Sequence, residues 1–415
     1  MTSVDRRKNR AGSAECRICG GATYPILDLG LQPPSDPLWP TPSPLVPDRR
    51  HPLRLDACRV CGFTQISDPM PPESIYPTAG LEMTSWKNLP QTAWQVDLLK
   101  RHLPLEAGIV ETGCNDGHFL TALRDGGFSR LLGVEPSRVS GPIARGKGFE
   151  VREGFATPPV AAELVASHGK FDLAVAKHMF GHIPDLNGYF SCLDTLLKPD
   201  GLLFLEIPDF GAALAAADCS LVYEELIGYF TSDTLRFALE RFGYRVIVEH
   251  KFTYNGGLIE VLARRFPAPV SPRHPAIPGE LADFARRAGD YAARLGARLA
   301  LLRDQGWVIY VFGGGLRSAA LLNGFGLAEH VAALLDDNPA KQGRYYPGCG
   351  LPLVAPETLA DNPGRKAFLL AVGNENEAKV KRRIDDLFGG GALCASILSP
   401  NDRFAELRKL EAGLG

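Results

Sequence analysis

The chain has 415 residues, of which 45% are hydrophobic and 22% are charged, and its formal net charge is −2 at pH 7. This length predicts two or three domains, and the composition is that of a globular protein with a normal core. The near-neutral charge and the lack of a long apolar stretch argue against nucleic acid, a membrane span or a secretory signal. We therefore expect a cytoplasmic protein.

Two C-x-x-C pairs frame the N-terminal part of the chain, Cys16-Arg-Ile-Cys19-Gly and Cys58-Arg-Val-Cys61-Gly. The two-residue spacing lets both thiolates face one ion, and two such pairs form a closed tetrahedral zinc site. Packed cysteines, a redox pair or a nucleic-acid-binding ribbon would be the alternatives. Repetition of the whole pattern argues against the first two, and a segment that is not strongly basic argues against the third. We predict a structural Zn²⁺ on these four cysteines, in a small Cys₄ domain over residues 1–78.

From about Trp94 onward, stretches with helical spacing alternate with short apolar runs. Helical spacing occurs, for example, over Gly117–Asp125 and Asp185–Leu197. Such alternation predicts a doubly wound, Rossmann-like α/β domain, here over residues 79–270. The apolar runs are predicted to be buried parallel strands, at Gly108–Glu111, Leu131–Glu135, Phe171–Ala176 and Leu202–Ile207.

A glycine-containing turn follows the first of these strands and carries Glu111, Gly113, Asn115 and Gly117. The glycines let the backbone approach a ligand, and the start of the next helix favours a carboxylate there. Its spacing, E-x-G-x-x-x-G, differs from the dinucleotide fingerprint. Glu135 ends the next strand, where a carboxylate can accept hydrogen bonds from both hydroxyls of a ribose. Together, the turn and Glu135 are typical of class I methyltransferases that bind S-adenosylmethionine.

The predicted strand Phe171–Ala176, which corresponds to the fourth strand of such a domain, is followed directly by Lys177 and His178. Open α/β sheets bind ligands at the carboxyl ends of their strands, so both residues are candidates for cofactor binding. The segment Glu153–Phe155 lies near the end of the third strand, where adenine is expected. Lys198-Pro-Asp-Gly resembles the turn that precedes the fifth strand in methyltransferases of this class.

A proline-rich break at residues 266–272 precedes a second α/β unit, which we predict as a Rossmann-like domain over residues 271–415. A long helix is expected from about Gly279 to Asp304, then a glycine turn, Phe312-Gly-Gly-Gly315, and a helix through Leu322. The turn either binds a phosphate of the substrate or is a tight strand-to-helix connection. Asp336 and Asp337 end the predicted strand that follows this turn, but they are weak evidence that the domain binds NAD. The predicted strands of this unit are Trp307–Phe312, His330–Leu335, Phe368–Val372 and Ala392–Leu398.

The order of these three parts resembles the sugar-nucleotide C-methyltransferases of antibiotic deoxysugar pathways. The resemblance extends from Cys16 to about Ile397. The segments that carry it are Asp28-Leu-Gly-Leu-Gln-Pro-Pro-Ser-Asp36, Glu111-Thr-Gly-Cys-Asn-Asp-Gly117, His182-Ile-Pro-Asp185, Tyr223-Glu-Glu225 with Tyr229-Phe230, Phe312-Gly-Gly-Gly315, Asp337-Asn-Pro-Ala-Lys-Gln-Gly343 and Pro347-Gly348.

The resemblance implies a reaction and a set of site residues. In that family, a 4-keto sugar linked to a nucleotide loses its C3 proton, and the enolate attacks the methyl group of the cofactor. This chemistry needs a base near C3 and donors around the enolate oxygen. His182, Tyr223 and Glu225 match the family's catalytic residues. An unperturbed His pKa near ~6.5 would suit His182 as the base.

The chain departs from the family pattern at three places. Leu226 stands where the family has a histidine after the Glu of the cluster, and leucine cannot take a proton. Asn255-Gly-Gly replaces a His-Gly-Gly triplet. The segment Tyr76–Trp86 offers no clear match to a family tyrosine. These departures leave open whether His182 replaces the missing base or another reaction occurs.

Three functions are consistent with the residues. The first is C-methylation of a nucleotide-linked keto-deoxysugar in natural-product or surface-glycan biosynthesis. The others are O- or N-methylation of another small acceptor, and a scaffold that serves as a non-methylating enzyme or interaction module. Glu111, Gly113, Gly117 and Glu135 argue against loss of the cofactor. We expect a small-molecule substrate, no nucleic acid or membrane partner, and a monomer or weak homodimer.

Overall fold

The computed structural model describes residues 15–34, 38–40, 50–76, 89–266, 272–359, 364–389 and 392–411. The N-terminal part forms an antiparallel sheet of β1 (Thr23–Gln32), β2 (His51–Cys58) and β3 (Thr64–Ile66). A fourth strand, Gly228–Tyr229, comes from far along the chain and pairs with β3. The N-terminal sheet is therefore completed by a segment of the methyltransferase-like region.

The central part is an α/β unit around a seven-stranded sheet. Its helices are α1 (Gln91–His102), α2 (His118–Asp125), α3 (Ser140–Gly146), α4 (Pro158–His168), α5 (Leu186–Leu196), α6 (Phe210–Ala216) and α7 (Ser232–Arg241). Its strands are β4 (Gly108–Thr112), β5 (Arg130–Glu135), β6 (Glu150–Glu153), β7 (Phe171–Lys177), β8 (Leu197–Pro208), β10 (Tyr244–Phe252) and β11 (Leu258–Arg265), and β9 is the Gly228–Tyr229 strand already described.

The strand order of the central sheet is β10-β11-β8-β7-β4-β5-β6. Strands β4 to β8 run parallel, whereas β11 pairs antiparallel with β8 and β10 with β11. The four predicted strands are all present, and the predicted Rossmann-like α/β fold is confirmed. The strand order reverses between β4 and β7, because β5 and β6 lie on one side of β4 whereas β7 and β8 lie on the other. Open α/β sheets bind ligands at such a point.

The C-terminal part contains a five-stranded parallel sheet in the order β14-β13-β12-β15-β16. Its elements are α8 (Phe284–Asp304), β12 (Val308–Phe312), β13 (Ala333–Leu335), β14 (Leu353–Val354), β15 (Lys366–Leu370), α9 (Asn374–Phe388), β16 (Leu393–Ser396) and α10 (Arg403–Glu411). Among the described helices, none is both long and apolar enough to cross a membrane.

The helix predicted through Leu322 is not a regular α-helix. A 3₁₀ turn, Leu316–Ser318, and a π-helical turn, Ala320–Gly324, take its place. The segment lies between glycines at 315 and 326, and a further glycine at 324 ends the π-helical turn, so the backbone is free to leave regular helical geometry.

One continuous hydrophobic core joins the three parts. It includes Leu55 of β2, Phe210 of α6, Leu295 of α8 and Leu334 of β13, all buried. A second core packs Phe63, near the cysteine pairs, against Phe230 with ring centroids 4.8 Å apart. This packing brings the N-terminal region against the segment that precedes α7.

Candidate functional site

The four cysteines come together as predicted. The sulfur atoms of Cys16 and Cys61 lie 3.7 Å apart, those of Cys19 and Cys58 3.5 Å, and those of Cys19 and Cys61 3.6 Å. All four ligand atoms lie within 4.8 Å of one another. Four sulfurs at ~2.3 Å from a central ion in a tetrahedron are separated by about 3.8 Å, so this set fits Zn²⁺. A Cys₄ site has no open position, so the ion is structural.

The cysteine cluster is tied to the segment that contains the candidate catalytic residues. Arg17 donates from Nη2 to the backbone carbonyl of Ile227 at 2.8 Å, and its backbone N–H donates to Gln65. Arg241 of α7 donates to the carbonyl of Ile18 at 2.7 Å. The zinc-binding region therefore supports the loop that ends at Ile227.

The glycine turn after β4 has an unusual backbone conformation. Gly113, Asn115 and Gly117 adopt positive φ angles of 74°, 50° and 74°. A Cβ at Gly113 would come within 2.9 Å of Met179 Cγ, so a larger residue there would require the Met179 side chain to move. Glu135 is buried, and its two carboxylate oxygens accept the N–H groups of Asn115 at 2.7 Å and Ser137 at 2.8 Å.

Glu111 is a buried carboxyl group at the start of this turn. Its Oε2 has no hydrogen-bond partner among the described residues, and burial raises its pKa to about 8, with Lys177 opposing the shift. An unpartnered buried carboxyl costs free energy unless a ligand satisfies it. The turn, Glu111 and Glu135 thus fit a ligand with a cationic end and a ribose.

Lys177 and His178 bind to groups of the chain itself. Lys177 Nζ donates to Gln95 Oε1 at 2.6 Å and lies 4.2 Å from the ring centroid of Phe119. His178 has a positive φ of 52°, and its Nε2 lies 3.0 Å from Glu206 Oε1. Both side chains face the ends of β7 and β8 and are held there.

A buried polar cluster beside these residues was missed by the sequence analysis. Gln95 Nε2 donates to Glu206 Oε2 at 2.5 Å and to Glu260 Oε1 at 2.6 Å. Both acids are 1% exposed and lie directly opposite each other on β8 and β11. Burial and the neighbouring Glu206 raise the pKa of Glu260 to about 9. Burial would also raise the pKa of Glu206, but Lys177 and His178 hold it well below its ordinary value. The sequence signal that could have revealed this cluster is the presence of one charged residue inside each of two apolar strands.

His182 ends a short helical turn after β7 and is bonded to a residue that the sequence analysis could not assign. The hydroxyl of Tyr76 lies 2.8 Å from His182 Nδ1, and it donates to the carbonyl of Glu225 at 3.3 Å. The Tyr76 ring lies 6.5 Å from that of Phe155, in the segment expected to be near adenine. The rest of the Tyr76–Trp86 segment, residues 77–86, lies outside the described residues.

His182 does not keep the ordinary pKa that was expected for it from the sequence. Burial, and then the charge of His178, lower this pKa to about 4. The ring of His182 is therefore neutral at neutral pH, and its affinity for a proton is reduced.

Tyr223, Glu225 and Leu226 lie on the loop that Arg17 supports. Burial raises the pKa of Tyr223 above its ordinary value, so its hydroxyl stays protonated. Leu226 is 1% exposed, and its Cδ1 would be 2.6 Å from a Cβ at Gly181, the residue before His182. The structure thus brings Leu226 and Glu225 to the same place as His182 and Tyr76.

Asn255 is placed at a contact with the C-terminal part. Its φ is 49°, its backbone N–H donates to Glu375 at 3.1 Å, and its carbonyl accepts from Arg317 at 2.9 Å. A Cβ at Gly256 would lie 2.7 Å from Arg317 Nη2. Arg317 also bonds to Asp218 at 3.2 Å, so this loop is fixed by a buried ionic network.

The Gly313–Gly315 turn is shaped by contacts within the chain. A Cβ at Gly314 would meet Leu353 at 2.3 Å, and the N–H of Gly314 donates to Asp336 at 3.1 Å. Lys341 Nζ lies 2.9 Å from the same carboxylate. These contacts favour a tight structural connection over a phosphate site.

Comparison with known proteins agrees with this arrangement. Three family models match consecutive parts of the chain: a zinc binding domain over residues 16–76, a methyltransferase domain over 90–249 and a C-methyltransferase C-terminal domain over 278–386. The C-methyltransferase NovU of Streptomyces niveus is 27% identical over 420 residues, covering 94% of this chain and 97% of NovU.

Two solved structures that resemble the chain cover less than half of its length. An S-adenosylmethionine-dependent methyltransferase from Anabaena variabilis is 18% identical, with a TM-score of 0.35, over 43% of this chain and 86% of that one. The magnesium protoporphyrin IX methyltransferase of Synechocystis PCC 6803 is 16% identical, with a TM-score of 0.34, over 42% and 82%.

The zinc-binding cysteines, the cofactor turn of the central sheet and the C-terminal domain occur in one order along nearly the whole chain. The chain is therefore an S-adenosylmethionine-dependent methyltransferase with an N-terminal zinc-binding domain and a C-terminal domain like that of C-methyltransferases.

Proposed function

We propose that this enzyme C-methylates a nucleotide-linked keto-deoxysugar, at C3, through an enolate. The observation that carries the proposal is the position of Tyr76, His182 and Glu225 beside the cofactor turn. Met179 makes the connection, because it lies against Gly113 and its carbonyl accepts the N–H of His182 at 2.9 Å. A substrate held by this cluster lies close to a group bound at the turn.

The cofactor is held by residues of the strand ends. Glu135 would bind the ribose, Glu111 and the turn Gly113–Gly117 the methionyl end, and Phe155 would border the adenine. S-adenosylmethionine supplies the electrophilic methyl group that the nucleophilic carbon of the sugar takes up. The positive charge of the sulfonium and the amino group suits a site with several buried carboxyl groups.

The proposal keeps His182, Tyr223 and Glu225, which the resemblance implies as catalytic residues, but gives His182 the role of binding the sugar instead of acting as the base. A keto sugar becomes a carbon nucleophile only if a proton leaves the neighbouring carbon while a donor stabilises the oxygen. Because burial keeps Tyr223 protonated, its hydroxyl can donate to that oxygen. The His182 ring stays neutral and is held in place by Tyr76. His182 can therefore form a hydrogen bond to the sugar.

A second candidate function is methyl transfer to oxygen or nitrogen of another natural-product acceptor. Leu226 favours it, since a buried leucine at this position removes one proton acceptor from the cluster. Such an acceptor keeps its carbon-bound hydrogens during the reaction, which makes the two functions separable.

The test is to incubate the enzyme with S-adenosylmethionine and thymidine- or cytidine-linked 4-keto-deoxysugars in deuterated water, and to analyse the product by mass spectrometry. The proposal expects a gain of one methyl group with loss of the C3 hydrogen. A control with S-adenosylhomocysteine should show exchange of that hydrogen for deuterium without methylation. Methylation that leaves every carbon-bound hydrogen in place would favour the second candidate.

A further inference from the structure

His178 is the first residue after β7, and it lies at the point where the strand order of the sheet reverses, between β4 and β7. Ligands of open α/β sheets bind in the crevice at this reversal. The next residue, Met179, lies against Gly113 of the cofactor turn. A non-glycine residue with positive φ is uncommon, and such conformations concentrate at functional sites. His178 thus lies beside the expected methyl donor in a conformation that the surroundings impose.

A buried carboxylate orients the His178 ring. Its Nε2 lies 3.0 Å from Glu206 Oε1, and its backbone N–H donates to the Glu206 carbonyl at 2.8 Å. Glu206 is anionic, because the charge of Lys177 keeps its pKa low despite burial. An anionic carboxylate accepts a hydrogen bond, so the neutral ring carries its proton on Nε2 and its lone pair on Nδ1. Within the described ranges, no group is hydrogen-bonded to Nδ1, and the side chain is 27% exposed.

The two histidines of the site differ as proton acceptors. His182 is bonded to the neutral hydroxyl of Tyr76, and burial lowers its pKa to about 4. An imidazolium at His178 would face the Glu206 carboxylate at 3.0 Å, which stabilises it as the carboxylate of a catalytic triad does. His178 is therefore the better base of the two.

We propose that His178, oriented by Glu206, is the general base that removes the C3 proton of the sugar; this rests on the proposed function. The C3–H bond breaks, its electron pair forms the C3–C4 double bond, the C4 carbonyl oxygen becomes the enolate oxygen, and the proton goes to Nδ1. The enolate carbon then forms the bond to the methyl group, and the electrons of the broken carbon–sulfur bond remain on sulfur. The proton leaves His178 to solvent after the reaction.

Gln95, Glu260 and Lys177 are positioning residues for this base. The Gln95 amide donates to both carboxyl groups and accepts from Lys177, so it holds Glu206 in place. Glu260 keeps a proton because its pKa is raised to about 9, so the pair carries one negative charge, which Lys177 balances. The group formed by Glu206, Glu260 and Lys177 is then charge-balanced.

The experiment uses His178→Asn, since asparagine tolerates positive φ and can donate to Glu206 but cannot take the proton. We measure deuterium exchange at C3 of a thymidine diphosphate-linked 4-keto-6-deoxy sugar, with S-adenosylhomocysteine bound. The expected loss is ~10²–10⁴-fold, as for a positioned base, with unchanged S-adenosylhomocysteine affinity in calorimetry. His168→Asn is the matched control, because His168 pairs with Glu150 at 3.1 Å outside the site.

Two further variants separate the base from its surroundings. Glu206→Gln should lose exchange to a similar extent, whereas Glu260→Gln, which replaces a neutral acid by a neutral amide, should lose less than tenfold. His182→Asn should mainly raise KM. Added imidazole should restore exchange to His178→Gly, which a purely structural role would not permit.

Several outcomes would overturn the assignment. Exchange by His178→Asn within threefold of the wild type, or exchange by His178→Gly that imidazole does not restore, would exclude His178 as the base while leaving C-methylation intact. If the wild-type enzyme neither exchanges nor methylates any keto sugar nucleotide, the proposed function fails and the base assignment fails with it.

Discussion

The hydroxyl of Tyr76 lies 2.8 Å from Nδ1 of His182, although 106 residues separate the two in the chain. The same hydroxyl donates to the carbonyl of Glu225. Three distant segments therefore meet at one phenol, and the candidate site is complete only when the N-terminal region packs on the methyltransferase domain. The zinc-binding cysteines stabilise that packing through Arg17 and Ile227.

Loss of zinc should therefore reduce activity as well as stability. We expect one equivalent of zinc in the purified protein, and Cys58→Ser should lose the metal and lower both the melting temperature and turnover. Elemental analysis with thermal unfolding checks this, and Cys349→Ser, outside the cluster, is the control. Wild-type protein with far less than one equivalent of zinc would contradict the prediction.

Replacement of Glu135 should weaken the binding of S-adenosylhomocysteine. Glu135→Ala removes a carboxylate that also holds the N–H of Asn115, and we expect a loss of ~1–3 kcal/mol, the range for charge-assisted hydrogen bonds. Isothermal calorimetry measures it, with the exposed Glu150→Ala as a control. Unchanged affinity would show that the ribose is bound elsewhere.

The lowered pKa of His182 predicts a loss of stability in acid. A histidine whose folded-state pKa, about 4, is below its unfolded value favours folding above pH ~6.5, and this contribution is lost as pH falls toward 4. Denaturant unfolding between pH 7 and 4.5 should show a smaller decline for His182→Asn than for the wild type. Parallel declines in the two proteins would be inconsistent with a buried neutral His182.

The raised pKa of Glu260 predicts that the free energy of unfolding falls as the pH rises. Because its pKa is raised to about 9 in the folded state, its contribution to stability is complete below pH ~4.5 and is lost as pH rises toward 9. The free energy of unfolding should therefore fall less between pH 6 and 9 in Glu260→Gln, by up to about 1.4 kcal/mol per pH unit. Glu106→Gln, at an exposed position, should behave as the wild type.

Features with a local signal could be predicted from the sequence alone. The repeated Cys-x-x-Cys pattern, the apolar strand runs and the glycine turn each occupy a few neighbouring residues, so spacing identifies them. Glu135 was found because it ends a strand at a known distance from the turn. The resemblance to a family added His182, Tyr223 and Glu225, which the structure places around the loop that Arg17 supports.

Only the tertiary structure decided which residues far apart in the chain come into contact. Gln95 meets Glu206 across 111 residues and Glu260 across 165, because the sheet places β8 beside β11 and α1 at their ends. Neither partner has a sequence pattern that indicates the other. The pKa of His182 was likewise invisible, since it depends on burial and on the neighbouring His178 rather than on residue type. Residue types and spacings thus determined the fold class, the zinc ligands and the cofactor turn, whereas desolvation and long-range packing decided which groups can hold a proton.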